Sequence, residues 1–269
     1  MYPDNLTVNA DDFGIDPGIS RGIFECISRG WINSISVVPF TDSATESLLR
    51  TITEKHPRVA IGCHLSLIDT DPLLSDTPLY SSSQKSPYNY RQFLRIYLSG
   101  KFPGSSIYRE WREQIKKITD LGINVGHVDS HQHLHILPGL WPIAKKLQQE
   151  FSIPHLRVPF ESLRRSLFLH FPFGLFFQLL AWFRLREKGN RVFFGFVHGM
   201  NFQFQSYKKY FDRVLLQPDT HFELMVHPGY PPEAKDSPLS YWNASWENEI
   251  RQLGLTAEYF SVNRVPAAN

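Results

Sequence analysis

The sequence predicts an α/β fold, a single (β/α) barrel of the TIM type with parallel strands and helical crossovers, and three observations predict it. Runs of strand character alternate with runs of helical periodicity along the whole chain, which calls for parallel strands joined by helices. Six or seven such units in 269 residues match one barrel domain, residues 1–269, able to bury one large core. Polar residues that interrupt the apolar pattern fall at the C-terminal ends of the predicted strands, where such barrels gather their chemistry.

Leu6 to Ala10 reads as the first strand and stops at Asp11-Asp12-Phe13-Gly14. Adjacent carboxylates on a strand end point to opposite sides, so they suit two tasks, one binding a metal and one acting as a base. The alternative is a solvated turn, since Asp and Gly are turn formers. Pro17 to Gly30 reads as a helix, with Ile19, Ile23, Phe24 and Ile27 at spacings of three and four, Asp16 as its cap and Pro17 in its first turn. Ile32 to Phe40 is the second strand, residues 43 to 55 the second helix, and Val59 to Leu67 the third strand, with His64 in an otherwise apolar run. A lone strand histidine is more often packed core than ligand; its place near a strand end favours the site.

Asp69 to Tyr90 is rich in Pro, Ser and Asp and reads as a long loop, of a length usually tied to function or mobility. Its Tyr88 and Tyr90 could stack on a sugar ring, although packing is the preferred reading. Helices follow over 91 to 99 and 105 to 121, the second with an apolar stripe of Ile107, Trp111, Ile115 and Ile118. Helix 140 to 150, strand 153 to 159 holding Arg157, strand 191 to 197, helix 207 to 216, strand 222 to 226 ending at His227-Pro228-Gly229, and helix 242 to 253 complete the chain.

Four of the eleven histidines, His127, His131, His133 and His135, fall within nine positions. On an extended strand they share one face, but His127 and His135 are then about 26 Å apart at about 3.3 Å per residue, too far for one ion with bonds of about 2 Å. If the chain bends into a helix after Ser130, His131 and His135 stand at i and i+4, a spacing of helical zinc pairs. Either way one or two ligands come from here and the others from elsewhere.

A formal charge of +2 with no basic run gives no reason to expect nucleic acid. Two cysteines, Cys26 and Cys63, make no disulfide framework, and Met1 to Asn9 lacks the basic and apolar regions of a signal peptide, so a cytoplasmic protein is expected. Ser166 to Phe183 is apolar enough to span a bilayer by length and is flanked by Arg164, Arg165, Arg184 and Arg186. His170, Pro172, Gly174 and Gln178 argue against spanning. The preferred readings are a buried helix, then an oligomer contact such as a homodimer, then an interfacial helix in peripheral membrane contact.

Asn9 to Gly14, Gly62-Cys63-His64-Leu65, His127 to His135 and Met225 to Gly229 together resemble the YdjC-like family of carbohydrate (chitooligosaccharide-type) deacetylases, over nearly the whole chain and in order. The resemblance implies a distorted (β/α) TIM-like barrel related to the polysaccharide deacetylases and metal-dependent removal of acetyl groups from N-acetylated sugars. It implies Asp12, His64 and His131 as metal ligands. Two imidazoles and a carboxylate leave positions for water and a carbonyl, as a catalytic metal requires.

Asp11 is then expected as general base, with Arg157 holding it ionised, and His227 as general acid for the departing amine. His133 and His135 are expected to bind substrate or brace the ligands, and which of His131, His133 and His135 touches the metal stays open. Zinc fits the ligand types, whereas the family resemblance points to magnesium, and the choice stays open. The competing readings are a metal-dependent hydrolase of a phosphoester or cyclic amide, a non-catalytic glycan-binding protein on the same barrel, and a membrane-associated scaffold resting on 166–183 alone.

Overall fold

The computed structural model describes residues 2–39, 42–75, 89–169, 173–187, 189–232, 239, 242 and 244–263. In chain order its strands are β1 (Leu6–Phe13), β2 (Ser34–Val37), β3 (Ala60–Leu65), β4 (His127–Ser130), β5 (His155–Leu156), β6 (Arg191–Phe194) and β7 (His221–Val226). Its helices are α1 (Pro17–Ser28), α2 (Ser43–Lys55), α3 (Tyr90–Leu98), α4 (Gly104–Thr119), α5 (Trp141–Glu150), α6 (Leu163–Leu169), α7 (Phe173–Phe183), α8 (Phe204–Leu216) and α9 (Trp246–Val262).

All seven strands pair in parallel, in the order β5, β4, β3, β2, β1, β7, β6. In a (β/α) barrel each strand neighbours its sequence neighbours and the first pairs with the last. That cycle holds here except between β5 and β6, which do not pair among the described residues. The sheet still curls, because Arg157 beyond β5 reaches Asp11 on β1 and Glu223 on β7, and its guanidinium lies 5.6 Å from the Phe193 ring on β6. The chain is thus a distorted, open TIM-like barrel, as expected.

Strand alternation sorts the two faces. Leu6, Val8 and Ala10 of β1, Ile35 and Val37 of β2, and Phe222, Leu224 and Val226 of β7 are buried in the apolar core. The alternate positions carry polar groups that bond to one another inside the curl. Thr7 meets His221 at 2.9 Å, Ser34 donates to Asn9, and Ser36 donates to Asp129. Gly62 is part of this fit, because a Cβ there would lie 2.1 Å from Nε2 of His127.

Local signals explain most elements. Asp16 caps α1 by accepting from the Gly18 N–H with Pro17 in the first turn, and Asp42 caps α2 through Thr45. Several boundaries differ from expectation. The strand over 153 to 159 shrinks to His155–Leu156, which among the described residues pairs only with β4, with Pro154 directly before it and Pro159 three residues beyond it. The strand over 191 to 197 ends at Phe194, before Gly195 at φ +116, whose Cβ would strike the Met225 carbonyl oxygen. The helix expected over 242 to 253 is Trp246–Val262 and runs through Gly254, where a Cβ would sit 3.3 Å from the Trp31 ring. There the glycine serves close packing and is no stop signal.

The apolar stretch 166–183 falls in two helices, α6 and α7, with His170 and Pro172 outside the described residues, as is Tyr88. Gln178 is fully buried and anchors α7, accepting from the Glu161 and Ser162 N–H groups and donating to the Pro159 carbonyl. Among the described residues no helix is long and apolar enough to cross a membrane.

Candidate metal and acid–base site

The site begins where β1 breaks its own alternation. Its register against β2 shifts between Ala10 and Phe13, and Asp12 takes the left-handed region at φ 70. Such a bulge re-aims a side chain. Asp11 accordingly turns to Arg157 while Asp12 turns to His64 and His131.

Asp12, His64 and His131 are all buried, with one ligand atom of each lying within 4.8 Å of the others. Asp12 Oδ1 is 2.8 Å from His131 Nδ1 and 3.2 Å from His64 Nε2. Ligand atoms around a tetrahedral ion at about 2 Å are about 3.3 Å apart, so the spacing fits a shared ion. Each imidazole is held from behind by a second carboxylate. His64 Nδ1 meets Asp129 Oδ1 at 2.7 Å, and His131 Nε2 meets Asp69 Oδ2 at 3.2 Å. Trp242 covers His131, stacked at 5.1 Å.

The electrostatics call for a cation. Burial pushes the Asp12 carboxyl up, but His131 and His64 outweigh it and hold Asp12 well below the usual carboxylate range. Burial pushes His64 down, yet Asp129, Asp11 and Asp12 raise it to about 10. Burial likewise opposes the His131 charge, and Asp12 and Asp69 raise it to about 9. Without an ion, two imidazole protons balance this acidic pocket; a dication held by the same atoms would take their place, with the neutral imidazoles that metal ligation needs.

A second grouping, Asp11, His64 and Asp129, has comparable spacing. Its cation is already there. The fully buried Arg157 donates through Nη1 to Asp11 at 2.7 Å and to Asp129, through Nη2 to Asp11 at 3.0 Å, and through Nε to Glu223 at 2.6 Å. Burial penalises the Asp129 and Glu223 charges, and Arg157 outweighs it and holds both well below the usual range. Asn9 adds a 2.7 Å bond to Asp11 Oδ1. Asp11 is therefore fixed by a two-point guanidinium clamp on one side of the Asp12, His64 and His131 cluster.

His227 follows β7 and enters the same cavity, its Nε2 4.0 Å from Asp12 Oδ2 and its Nδ1 buried without a hydrogen-bond partner among the described residues. The histidine-rich segment neither continues as a strand nor forms a regular helix. After β4 it closes a 3-10 turn over His131–Ile136, with Gln132 and His133 in the left-handed region at φ 52 and 53. That turn separates the three histidines. His131 joins the cluster, His133 stacks on Phe196 at 5.4 Å, and His135 lies fully buried between the Ser130 hydroxyl and the Arg157 carbonyl. Burial, then Arg157, holds His133 well below its ordinary value, and burial lowers His135 to about 4.

Of the eight residues singled out in the sequence, Asp11, Asp12, His64, His131, His133 and His227 line one cavity of about 410 Å³. Arg157 and His135 stand behind its wall. Both nitrogens of His135 are engaged within the protein, so it braces the turn and offers the cavity no polar atom. Sequence reasoning gave no task to Asp129 and missed Asp69 and Trp242. Asp129 had a usable signal, its register two residues before His131 on the inward face of β4; Asp69 and Trp242, on irregular segments, had none.

The family described as YdjC-like protein matches residues 5–255. A carbohydrate deacetylase of Halalkalibacterium halodurans is 30% identical over 152 residues, 55% of this chain and 62% of that protein. A carbohydrate deacetylase of Brevibacillus brevis is 30% identical over 149 residues, 55% of this chain and 57% of its own length. One of Xenopus laevis is 29% identical over 160 residues, 58% and 51% respectively. The matched segments thus span between half and two thirds of these relatives. A crystal structure of a putative cellobiose-phosphate cleavage protein from Enterococcus faecalis superposes with a TM-score of 0.69, covering 98% of this chain and 96% of that one at 20% identity, a likeness of fold.

Proposed function

The chain belongs to the YdjC-like family, and from that premise we propose that it is a divalent-metal-dependent hydrolase that removes the acetyl group from an N-acetylated sugar. One observation carries the reading. A clamped carboxylate, Asp11, and the His227 imidazole, whose Nδ1 has no hydrogen-bond partner among the described residues, enter the same cavity as the Asp12, His64 and His131 cluster. The similarity to proteins named carbohydrate deacetylase supports the substrate class.

Asp12, His64 through Nε2 and His131 through Nδ1 would hold the ion. When bound, the ion polarises the acetyl carbonyl and acidifies water. Asp129 and Asp69 hold the far nitrogens, fixing both rings in the tautomer that leaves the inner nitrogen free. Asp11 takes the proton of the attacking water. Its clamp by Arg157 and Asn9 leaves it little freedom to turn away and holds its oxygens in one place for that role. The amine leaves poorly as an anion, so His227 delivers a proton to the amide nitrogen as the C–N bond breaks. Acetate and the free amino sugar are the products.

A phosphoester substrate has less support. Among the described residues, none that lines the cavity is Lys or Arg, and Arg157 spends its donors on three carboxylates. Two imidazoles and one carboxylate suit a transition ion such as zinc better than magnesium, which favours oxygen ligands. The test is acetate release from N-acetylated monosaccharides, short chitin oligomers and lipid-linked sugars, with chelator and with each metal restored. Release abolished by chelation and restored by one ion is the expected result. No release with any ion from folded, metal-loaded protein would overturn the proposal.

A further inference from the structure

A second cavity, of about 470 Å³, opens beside the catalytic one. The two share Gln132, His133, Gly174 and Phe196, so they form one trough with His133 and Phe196 at the junction. Away from the Asp12, His64 and His131 cluster its walls are Tyr90, Arg91, Leu94 and Leu98 of α3 and Phe177 of α7. Residues 90, 94 and 98 stand at i, i+4 and i+8, so α3 turns one continuous face to the trough.

That face is costly to leave in water. Leu98 is 81% exposed; on α7, outside the trough's own lining, Phe176 and Leu179 are a further 46% and 38% exposed. The leucines discriminate between ligands. Sugar hydroxyls need hydrogen-bonding groups, and the aliphatic walls at 94 and 98 offer none; Arg91 and Tyr90 supply polar atoms at one end of the groove only, whereas an apolar chain along the leucines gains by leaving water. The apolar stretch 166–183 is used in the same way, since α7 lends the trough Phe177.

We propose that the substrate is an N-acetyl amino sugar bonded to an apolar aglycone, the sugar seated over the metal cluster and the aglycone lying in the groove between α3 and α7. The proposal rests on the deacetylase reading and names its substrate class. Continuity with the catalytic cavity is what commits the groove to this occupant. The bond that breaks is still the acetamide C–N bond, so the aglycone contributes binding and takes no part in the chemistry.

The test compares octyl and methyl N-acetyl-β-glucosaminides, below micelle-forming concentration, on the metal-loaded protein. The octyl glycoside is expected to have about tenfold or higher kcat/KM, the gain from burying about two methylenes. Leu94→Asp and Leu98→Glu are expected to bring the ratio down towards one; Leu98 is exposed enough for its variant to fold. Equal kcat/KM for the two glycosides, or a gain only on lengthening the sugar to a chitin dimer, would overturn the groove while leaving the deacetylase reading intact. If neither glycoside releases acetate, the deacetylase reading fails, and titration calorimetry still decides the groove. Tighter binding of the octyl compound that Leu98→Glu abolishes supports it, and equal binding sinks it.

Discussion

His64 Nδ1 lies 2.7 Å from Asp129 Oδ1, and both residues are buried. Asp129 is held ionised despite burial, chiefly by Arg157 and His64, so it accepts and the imidazole donates. The bond leaves Nε2 aimed at Asp12, and Asp69 does the same for His131 from the opposite nitrogen. Two carboxylates that touch no ligand position thus set the orientation of both rings.

Asp129→Asn and Asp69→Asn are expected to weaken divalent-metal binding about 10–100-fold, the usual effect of losing such a partner. Asp129→Asn should also lower stability, by up to about 3–5 kcal/mol, because Arg157 loses part of its buried charge balance. Titration with zinc or manganese, read beside a urea unfolding curve, separates the two effects. Unchanged metal affinity in both variants would remove these residues from the site.

Asp11→Asn keeps the shape and both acceptor contacts on one oxygen but removes the carboxylate proposed as the base. Loss of a general base typically costs about 10²–10⁴-fold in rate, so acetate release should fall by that order while the bound ion, measured by elemental analysis, stays stoichiometric. A variant that also loses its ion would place Asp11 among the ligands instead.

His227→Ala should be selective for the leaving group. An amine needs a proton to depart and a phenolate does not, so the variant is expected to lose about 10²–10⁴-fold on an N-acetyl sugar and far less on an aryl acetate ester. Equal losses on both would assign His227 to binding or to the fold.

How much of this site was legible depended on the kind of segment carrying each residue. His64 and Asp11 could be placed because alternation along a regular strand gives each residue a face and an end. Asp12 broke that rule through its positive φ and the β1 bulge, so two acids expected on opposite sides of a flat strand diverge by a local twist instead. The order of His131, His133 and His135 could not be assigned because the turn after Ser130 is neither strand nor helix, and left-handed residues at 132 and 133 are not marked by glycine. Asp69 reaches His131 across 62 positions from a left-handed loop residue, a contact set only by tertiary structure. Parallel order and the C-terminal gathering of polar groups were legible because they follow from the strand–helix alternation itself.

Metal binding and pH should be linked with a definite sign. Asp129, Asp11 and Asp12 raise His64 to about 10 against burial, and Asp12 and Asp69 raise His131 to about 9, whereas an unfolded histidine titrates near about 6.5. The folded, metal-free protein therefore holds these protons more tightly than the unfolded chain. Their contribution is present in full below about pH 6.5 and is lost as pH rises through about 9 and 10. Melting temperatures of the metal-free protein should fall over that window. Because ligation needs the neutral rings, an ion must expel the protons, and at about pH 7.5 its uptake should release protons. Calorimetry in buffers of different ionisation enthalpy reads that release directly, and the stabilisation given by a saturating ion should grow from pH 7 to 9. A binding enthalpy independent of buffer, together with a flat melting profile, would show that the rings are already neutral in the metal-free protein.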